Sequence, residues 1–330
     1  MKIAVIGATG MIGHHTAKAV IAAGHQLFVV HRKSSRLDRI KDLDFTSAVA
    51  DLDDRSSLTQ ALSAVDGVIN CAAYYPTIPR KWQQDVAIAT QQMENFYSAC
   101  SQCDLKKIVY LGAAIALQKN SSGEPGHAEL EYPSQPKNKN PYLQVKWALD
   151  KLAKQQAQQG LPVVIGIPSM TFGEFDYGPS TGQLIVGIAN GSLPGFISGN
   201  RNTIYAGDAG RGLVLACEKG KVGERYLFTG SNITMAELVP LIAKVAGAAT
   251  LKTVPLFVAK TMSKLQEFRY HWLAGPLPKV TSTAIAVISA GQFLDGTKAE
   301  TDLGFKATLS VEQTIQKTYL WFKAQGYINT

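Results

Sequence analysis

Three glycines stand at a spacing that could hold a phosphate group near the start of the chain. In AVIGATGMIGHHTAKAV, Gly7, Gly10 and Gly13 lie between a short apolar run and a segment of helical period. Glycine permits a tight turn, lets the backbone approach a pyrophosphate and allows the helix to pack closely on the strand. The helix N-terminus then offers free N–H groups to the phosphates. The spacing predicts a dinucleotide-binding turn, because the glycines directly follow the first strand of a βαβ unit.

Basic residues, and no acidic residue, follow the next apolar strand, which ends in FVVHRKSSR. His31 occupies the position, roughly 20 residues beyond the glycines, where a carboxylate would bind the adenosine ribose of NAD. Arg32 and Lys33 instead offer charge-assisted hydrogen bonds to a 2′-phosphate. We therefore predict NADP in preference to NAD as the cofactor. Asp51 and Leu52, at the end of the third strand, are expected beside the adenine.

The glycine turn begins a regular alternation of short apolar runs and segments of helical period. This alternation is typical of a parallel sheet whose crossover helices cover both faces. The predicted strands are residues 2–6, 26–30, 46–50, 67–70, 107–111 and 162–167, and the main helices are residues 11–23, 56–63, 86–99 and 142–158. The predicted fold class is therefore α/β, a doubly wound parallel sheet of Rossmann type.

The pattern changes after Pro168, where connections rich in Gly, Pro and Ser replace the regular alternation. A strand-like run at residues 225–229 is expected to return to the sheet. We predict a cofactor domain and a smaller C-terminal substrate lobe. The cofactor domain covers residues 1–171, with 203–230 returning to it, and the lobe covers residues 172–202 and 231–330.

Composition and charge exclude several classes of protein. Hydrophobic residues make up 46% and charged residues 18% of the 330 residues, so the chain can bury a core. No apolar run is long enough to span a bilayer, and glycines interrupt any signal-peptide core, so we expect a cytoplasmic protein with no membrane partner. The net charge of +8 comes from scattered basic residues, so no nucleic-acid partner is expected.

The four cysteines are spaced irregularly, and we expect them to be reduced. Cys100 and Cys103 form a CxxC, but no second pair and no histidine cluster completes a zinc site. No metal site is predicted.

Four segments together resemble the extended short-chain dehydrogenase/reductases. They are GATGMIG at the start, ADLDD after the third strand, NCAAYYP after the fourth and YLQVK at the start of a later helix. The chain is similar to the NAD-dependent epimerase/dehydratase branch, near its dihydroflavonol-4-reductase-like and nucleotide-sugar epimerase-like members. The resemblance covers nearly the whole chain, through GERYLFTGSNITMAELV and FLDGTKAETDLGF.

The resemblance implies a catalytic pair, Tyr142 and Lys146, one helical turn apart. In the family the phenol exchanges a proton with a substrate oxygen, while the ammonium lowers the pKa of the phenol and holds the nicotinamide ribose. A second YxxxK, Tyr319 and Lys323, lies near the C-terminus and is interpreted as a chance match. Tyr142 is preferred because it stands between the fifth and sixth strands, where the family keeps its catalytic helix.

The hydroxyl that usually completes the family's catalytic set is absent. A Ser or Thr after the fifth strand normally hydrogen-bonds the reacting oxygen, but these positions are Gly112 and Ala113 in VYLGAAIAL. Loss of one such donor typically lowers turnover on the order of 100-fold to 1,000-fold. Tyr74 or Tyr75, after the fourth strand, would offer a substitute hydroxyl.

The resemblance also implies the remaining contacts. The further residues expected to meet the cofactor are Thr9, Met11, Ile12, Ala72, Ala73, Lys146, Pro168 and Met170. The residues expected to meet the substrate are Tyr75, Ala113 and Tyr142. A homodimer is expected from the resemblance alone, through the helices at residues 86–99 and 142–158.

Three functions remain as alternatives. The first is an NADP-linked oxidoreductase that transfers hydride to or from a carbonyl or alcohol substrate, with Tyr142 as acid and base. The second is a nucleotide-sugar epimerase or dehydratase with tightly bound NAD. The third is a catalytically weak or inactive nucleotide-binding sensor or scaffold, because the family hydroxyl is missing. Residues that would meet a substrate pyrophosphate in the second alternative are Arg80, Lys81, Arg201 and Arg211.

Overall fold

The structure, a computed structural model, describes residues 1–76, 80–272, 285 and 289–329. Its strands are β1 Lys2–Ile6, β2 Gln26–His31, β3 Thr46–Val49, β4 Gly67–Asn70, β5 Lys107–Leu111, β6 Val163–Pro168, β7 Met170–Phe172, β8 Asn200–Tyr205, β9 Arg225–Phe228 and β10 Ser231–Thr234. Seven of them form one parallel sheet in the order β3-β2-β1-β4-β5-β6-β9. The predicted α/β sheet of Rossmann type is confirmed.

Helices cover both faces of this sheet. In the described part of the chain they are α1 Met11–Ala22, α2 Arg55–Leu62, α3 Trp82–Cys100, α4 Pro141–Gln158, α5 Gln183–Ala189, α6 Ala206–Lys219, α7 Met235–Ala246, α8 Leu256–Trp272, α9 Thr297–Leu303 and α10 Val311–Ala324. Alternate residues of β1 enter two different cores, Ala4 with Phe96 and Leu149 on one face, and Val5 with Leu213 on the other. Burial on both faces explains why the strands are continuously apolar.

Helix α4 begins with two sequence signals. The side chain of Asn140 accepts a hydrogen bond from the backbone N–H of Leu143 (3.0 Å), and Pro141 occupies the first turn. An asparagine cap satisfies an N–H that has no partner within the helix, and proline loses nothing there because its nitrogen has no proton to donate. This start fixes the position of the next residue, Tyr142.

A second sheet of three strands, in the order β10-β8-β7, lies beyond β6. Strand β8 pairs antiparallel with β10 and parallel with β7. Helices α5, α7 and α10 enclose a separate core with it, which includes Phe172, Ile185, Leu238 and Ile315. Strand β9 returns to the main sheet beside β6. Residues 273–284, 286–288 and 330 of the predicted substrate lobe lie outside the described residues.

All four cysteines are free thiols. Among the described residues, no helix is long and apolar enough to cross a membrane.

Candidate active site

The predicted site residues converge on the carboxyl edge of the main sheet. Because the seven strands run parallel, the loops after β1 to β6 all open at this edge. The strand order puts the loops after β3 and β2 at one end, the glycine turn in the middle, and the loops after β4, β5 and β6 beyond it. The edge therefore brings together residues 51–52, 31–33, 7–13, 72–75 and 168–170.

The turn after β1 requires glycine at two of its three glycine positions. A Cβ on Gly13 would lie 2.0 Å from the carbonyl oxygen of Gly7, and a Cβ on Gly7 would lie 3.1 Å from the backbone nitrogen of Ala72. Gly7 also has φ +84°, which other residues rarely adopt. Helix α1 begins after Gly10 with no side-chain cap and no acid in its first turn. Its N-terminal N–H groups are therefore open to an anion such as a pyrophosphate.

The basic residues after β2 stand free at the surface. Arg32 and Lys33 are exposed, and neither forms an ion pair with another described residue. By contrast, the nearby Arg36 is held by Asp38, with Nη2 and Oδ2 2.8 Å apart. The ring Nδ1 of His31 lies 3.0 Å from the carbonyl oxygen of Arg32 and orders this turn. Two unpaired cations thus follow the strand at the position that would bind a ribose phosphate.

Tyr142 and Lys146 lie one turn apart on α4. Lys146 is buried, with 8% of its surface exposed, and its Nζ lies 5.9 Å from the ring centre of Tyr142. Burial lowers the pKa of Lys146 to about 8. Burial raises the pKa of Tyr142, and the nearby Tyr75 adds to this effect. Lys146 forms no ion pair within the described part of the chain, so its ammonium is available to a ligand.

The two candidates for a substitute hydroxyl differ in their surroundings. The hydroxyl of Tyr74 donates to Oδ1 of the buried Asp85 (2.6 Å), and Nε of Arg80 lies 3.6 Å from the same oxygen. The ring of Tyr75 lies 5.0 Å from the ring of Tyr142 and is exposed. Tyr74 is therefore committed to Asp85, whereas Tyr75 stands beside the predicted acid and base.

The two positions after β5 also differ. A Cβ on Gly112 would lie 2.8 Å from Cγ1 of Ile167, so a serine there would require the side chain of Ile167 to shift. Ala113 has extended backbone, with φ −147° and ψ 138°, and is half-buried. Ala113 already carries a Cβ, so a serine at this position adds only the hydroxyl oxygen.

Buried polar contacts hold α4 in place. Arg225, on β9, forms a two-pronged ion pair with Asp150 of α4, in which Nε and Oδ1 are 3.0 Å apart. Nη1 of Arg225 also donates to Glu131 (2.8 Å). Gln144 of α4 donates to the carbonyl oxygen of Pro136 (2.8 Å), which fixes the polar loop against the helix. The sequence interpretation missed these contacts, because Asp150 and Arg225 are 75 residues apart.

A cavity of about 540 Å³ adjoins the start of α4. Leu143, which follows Tyr142, lines it together with Ile115 and Leu117. Four exposed lysines from three separate segments also line it, and they are Lys119, Lys137, Lys260 and Lys264. Lys260 and Lys264 lie one turn apart on α8, but no spacing in the sequence connects them to Lys119 or Lys137, so sequence reasoning missed the set. The cavity combines apolar walls with positive charge.

The four basic residues considered for a substrate pyrophosphate do not come together. Arg211 forms an ion pair with Asp208 (3.0 Å), and Arg80 lies beside Asp85. Lys81 precedes α3 as its N-terminal cap residue. Arg201 is buried and lies close enough to lower the pKa of Lys119, after the larger effect of burial. Arg201 therefore lies near Lys119, which lines the cavity.

A second buried cluster links α1 to the smaller sheet. Burial lowers the pKa of both His14 and His15 to about 4. The ring of His14 stacks on Phe175 with 3.5 Å between ring centres. Glu174 accepts a hydrogen bond from the hydroxyl of Tyr205 (2.9 Å) and lies 3.6 Å from His15 Nε2. The adjacent histidines directly after Gly13 were a sequence signal to which no role was given.

The sheet order and the glycine turn define a Rossmann-like α/β protein. Residues 3–228 match the model of the NAD dependent epimerase/dehydratase family, and the chain belongs to this family. A solved nucleoside-diphosphate-sugar epimerase from Pseudomonas aeruginosa is 41% identical, with a TM-score of 0.88, and the match covers 100% of this chain and 99% of that one. The resemblance stated from the sequence is confirmed.

Two further relatives extend this comparison. The putative dihydroflavonol 4-reductase of Synechocystis sp. is 26% identical over 336 residues, which cover 99% of this chain and 96% of that protein. The Bordetella bronchiseptica enzyme WbmF, solved with NAD+ and UDP, shares the fold at 19% identity and a TM-score of 0.71, over 98% of this chain and 92% of that one. The prediction of an NAD(P)-dependent oxidoreductase or epimerase that acts on a small molecule is confirmed at the level of the family, and the preference for NADP over NAD stays a prediction.

Proposed function

We propose that this chain is an NADP-linked oxidoreductase that transfers hydride between the nicotinamide and a carbonyl or alcohol carbon. The observation that carries the proposal is the pair on α4, where a buried Lys146 without an ion partner among the described residues lies next to Tyr142. Residues 1–171 with 203–230 are proposed to bind the cofactor. Residues 172–202 and 231–330 are proposed to bind the substrate. The cytoplasm is the proposed compartment.

The residues on the sheet edge suit the cofactor. Gly10, Gly13 and the N–H groups of α1 would face the pyrophosphate, and Arg32 and Lys33 would bind the 2′-phosphate. The other proposed contacts are Thr9, Met11 and Ile12 with the phosphates, His31, Asp51 and Leu52 with the adenosine, and Ala72, Ala73, Pro168 and Met170 with the nicotinamide half. The crowded Gly13 supports this assignment, because the turn has no room for a side chain there.

Tyr142 moves the proton in the proposed reaction. When bound, the nicotinamide supplies or accepts the hydride. During carbonyl reduction, Tyr142 donates its phenolic proton to the oxygen on which negative charge develops, and during alcohol oxidation it takes that proton back. Burial raises the pKa of Tyr142 and so opposes loss of its proton. The ammonium of Lys146 opposes this effect, because a positive charge beside the phenol stabilises the phenolate.

Tyr75 is the proposed substitute for the missing hydroxyl. Its ring contacts Tyr142, and its neighbour Tyr74 is already bonded to Asp85. A hydroxyl from Tyr75 would support the same substrate oxygen as Tyr142. Together with Ala113, these residues form the proposed substrate contact.

Calorimetric titration with NADP+ and NAD+ tests the cofactor assignment. Before titration, absorbance and mass spectrometry show whether a nucleotide copurifies. The double variant Arg32→Ala/Lys33→Ala should lose about 10-fold to 100-fold in NADP+ affinity with little change for NAD+, because charged hydrogen bonds contribute about 1.5–3 kcal/mol. Arg36→Ala is the matched control, since Asp38 already holds that arginine. An equal loss for both nucleotides, or wild-type preference for NAD+, contradicts the assignment.

The Tyr142→Phe variant tests the chemistry. With NADPH and a panel of ketones and dihydroflavonols, its turnover should fall about 100-fold to 10,000-fold, the range for a general acid, while nucleotide affinity stays unchanged. Tyr319→Phe, from the second YxxxK, is the matched control and should keep full turnover. An active preparation that keeps its turnover in Tyr142→Phe contradicts the mechanism.

A nucleotide-sugar epimerase is the second candidate. It is favoured by the 41% identity to a solved nucleoside-diphosphate-sugar epimerase. In that case NAD would copurify tightly, and UDP-glucose would be converted without net change in nicotinamide absorbance. A third candidate, a sensor without catalysis, is favoured by Ala113 and predicts nucleotide binding with no turnover on either class of substrate.

A homodimer through α3 and α4 is also proposed. These two helices pack side by side on one face of the main sheet. Multi-angle light scattering should give twice the mass of the 330-residue chain. A single-chain mass at micromolar concentration contradicts this proposal.

A further inference from the structure

Exposed apolar side chains are concentrated in one helix. Twelve large hydrophobic residues are exposed in the described part of the chain, and six of them belong to the 17-residue helix α8. Scattered single residues of this kind are normal on a protein surface, whereas a contiguous patch marks a contact site. Helix α8 therefore carries an exposed apolar surface of the kind that marks a contact site.

The most exposed of these residues form a stripe along the helix. Phe257, Leu265, Phe268 and Trp272 are 72%, 61%, 54% and 77% exposed. At about 100° per residue they lie within about 80° of the helix circumference. The opposite side of the helix faces the protein, where Ser263 is 1% exposed. The stripe of these four residues, the α8 stripe, thus points away from the fold.

Basic residues border the α8 stripe on both sides. Lys260 and Lys264 lie along one border and Arg269 along the other, as the same helical geometry requires. All three are exposed. The surface combines large apolar and aromatic side chains with positive charge at their edges.

We propose that α8 docks on the surface of a bilayer that contains anionic lipid. Apolar side chains of such a helix enter the region between headgroups and acyl chains, and flanking Lys and Arg bind the lipid phosphates. Trp272 suits this interface, because indole combines an apolar ring with an N–H donor. The helix lies along the surface and does not cross it.

Charge favours a bilayer over a second copy of this chain. A symmetric pairing of two α8 stripes would bring both sets of Lys260, Lys264 and Arg269 together. Like charges oppose that arrangement, whereas an anionic surface attracts the same residues. Lys260 and Lys264 also line the cavity beside α4, so a bound bilayer would lie next to that cavity.

Vesicle flotation with the full chain tests the proposal. The protein should float with vesicles of phosphatidylcholine and phosphatidylserine, should bind phosphatidylcholine alone much more weakly, and should be released by salt. Leu265→Glu/Phe268→Glu should weaken binding at least about 100-fold, because two large side chains no longer leave water. Lys260→Gln/Lys264→Gln should weaken it on the order of 30-fold.

Matched variants keep the test specific. Leu320→Glu changes an exposed leucine of α10, 55% exposed, and Lys244→Gln changes an exposed lysine of α7. Both should bind vesicles as the wild type does. Brominated lipid should quench tryptophan fluorescence in the wild type and much less in Trp272→Phe. Because Trp272 is at the surface, the Trp272→Phe variant should keep the fold.

Three results overturn the proposal. Absence of wild-type binding to anionic vesicles is the first, and unchanged binding of Leu265→Glu/Phe268→Glu is the second. The third is a dimer in light scattering that the same α8 variant dissociates without any vesicle binding, because the stripe would then be covered by a second copy. None of these results depends on turnover, so the bilayer proposal and the proposed oxidoreductase function are tested independently.

Discussion

Helices α4 and α8 both line the same cavity. Polar side chains are usually exposed and apolar ones buried, and the two helices depart from this rule in opposite directions. Helix α4, 18 residues long, buries polar side chains, including Gln144, Lys146 and Asp150. Helix α8, 17 residues long, exposes large apolar ones, including Phe257 and Trp272. Half of the exposed large hydrophobic residues in the described part of the chain belong to α8 alone, which makes this helix the clearest departure of its kind.

The departures have different physical costs and point to different partners. A buried polar group is costly unless it is bonded, and Gln144 and Asp150 have partners within the protein. Lys146 has no ion partner among the described residues, which leaves its charge for a ligand. An exposed apolar stripe is costly in water until another surface covers it. We therefore propose a small-molecule ligand for α4 and a bilayer surface for α8.

The largest expected effect compares two Leu→Ala variants. Leu149 on α4 is fully buried and Leu265 on α8 is 61% exposed. Leu149→Ala should lower the free energy of unfolding by about 2–5 kcal/mol, whereas Leu265→Ala should change it by less than about 0.5 kcal/mol. Urea unfolding measures both. A large loss in Leu265→Ala would break the comparison, because it would mean that the α8 stripe is covered within the single chain.

The second-largest expected effect tests the reaction assigned to Tyr142 on α4. Ala113→Ser places a hydroxyl at one of the two positions after β5 where the family resemblance expects one, and it avoids the contact with Ile167 that a Cβ on Gly112 would make. Turnover of a carbonyl substrate should rise by up to about 100-fold, the low end of the usual value of one such donor. Nucleotide affinity should not change.

Gly112→Ser is the control for that gain. Its Cβ would lie 2.8 Å from Ile167, so it should destabilise the fold and give no increase in turnover. Equal turnover in Ala113→Ser and the wild type would show that Tyr75 already supplies the hydroxyl, or that the chain does not catalyse this reaction. Tyr75→Phe in the Ala113→Ser background separates these two outcomes.

The smallest expected change in the free energy of unfolding concerns the charge of Lys146, which has no ion partner among the described residues. In the nucleotide-free protein, Lys146→Met should raise the free energy of unfolding at pH 7 by about 2 kcal/mol, because an apolar side chain replaces a buried ammonium. The same variant should abolish turnover. Urea unfolding and NADPH consumption measure the two effects. A destabilised Lys146→Met would show that the ammonium has a stabilising contact in the nucleotide-free state.

The pH dependence provides a check on the same residue. Burial lowers the pKa of Lys146 to about 8, whereas in an unfolded chain it is about 10.4. Between these values the unfolded chain binds more protons, so the free energy of unfolding should rise with pH in this window. Other groups contribute equally to both proteins, so the difference between wild type and Lys146→Met should shrink from pH 8 to pH 10.

The regular part of the fold was predictable from local patterns. The predicted strands at residues 2–6, 67–70 and 107–111 agree with the observed ones residue for residue. Helix starts were less accurate, since α3 begins at Trp82 and not at residue 86. Its first turn has one apolar residue, Trp82, followed by three polar ones, and it has no side-chain cap, so neither periodicity nor a capping residue marked it.

The candidate site was predictable where one segment carries all the information. The glycine turn is such a case, because its geometry depends on residues 7–13 and on the strand directly before them. The sequence could also show that a hydroxyl is missing after β5. It could not show that a Cβ on Gly112 would crowd Ile167, because this depends on how a neighbouring strand packs.

The sequence by itself determined the parallel sheet and the glycine turn, since each follows from periodicity or spacing within a short segment. The expected catalytic pair, Tyr142 and Lys146, came from the family resemblance, because the chain contains a second YxxxK. Only the tertiary structure decided which polar residues are buried and which apolar ones are exposed. It joined Asp150 to Arg225 across 75 residues, gathered four separate lysines around one cavity, and left the α8 stripe uncovered. These properties depend on which surfaces meet when the chain packs, and no local pattern carries that information.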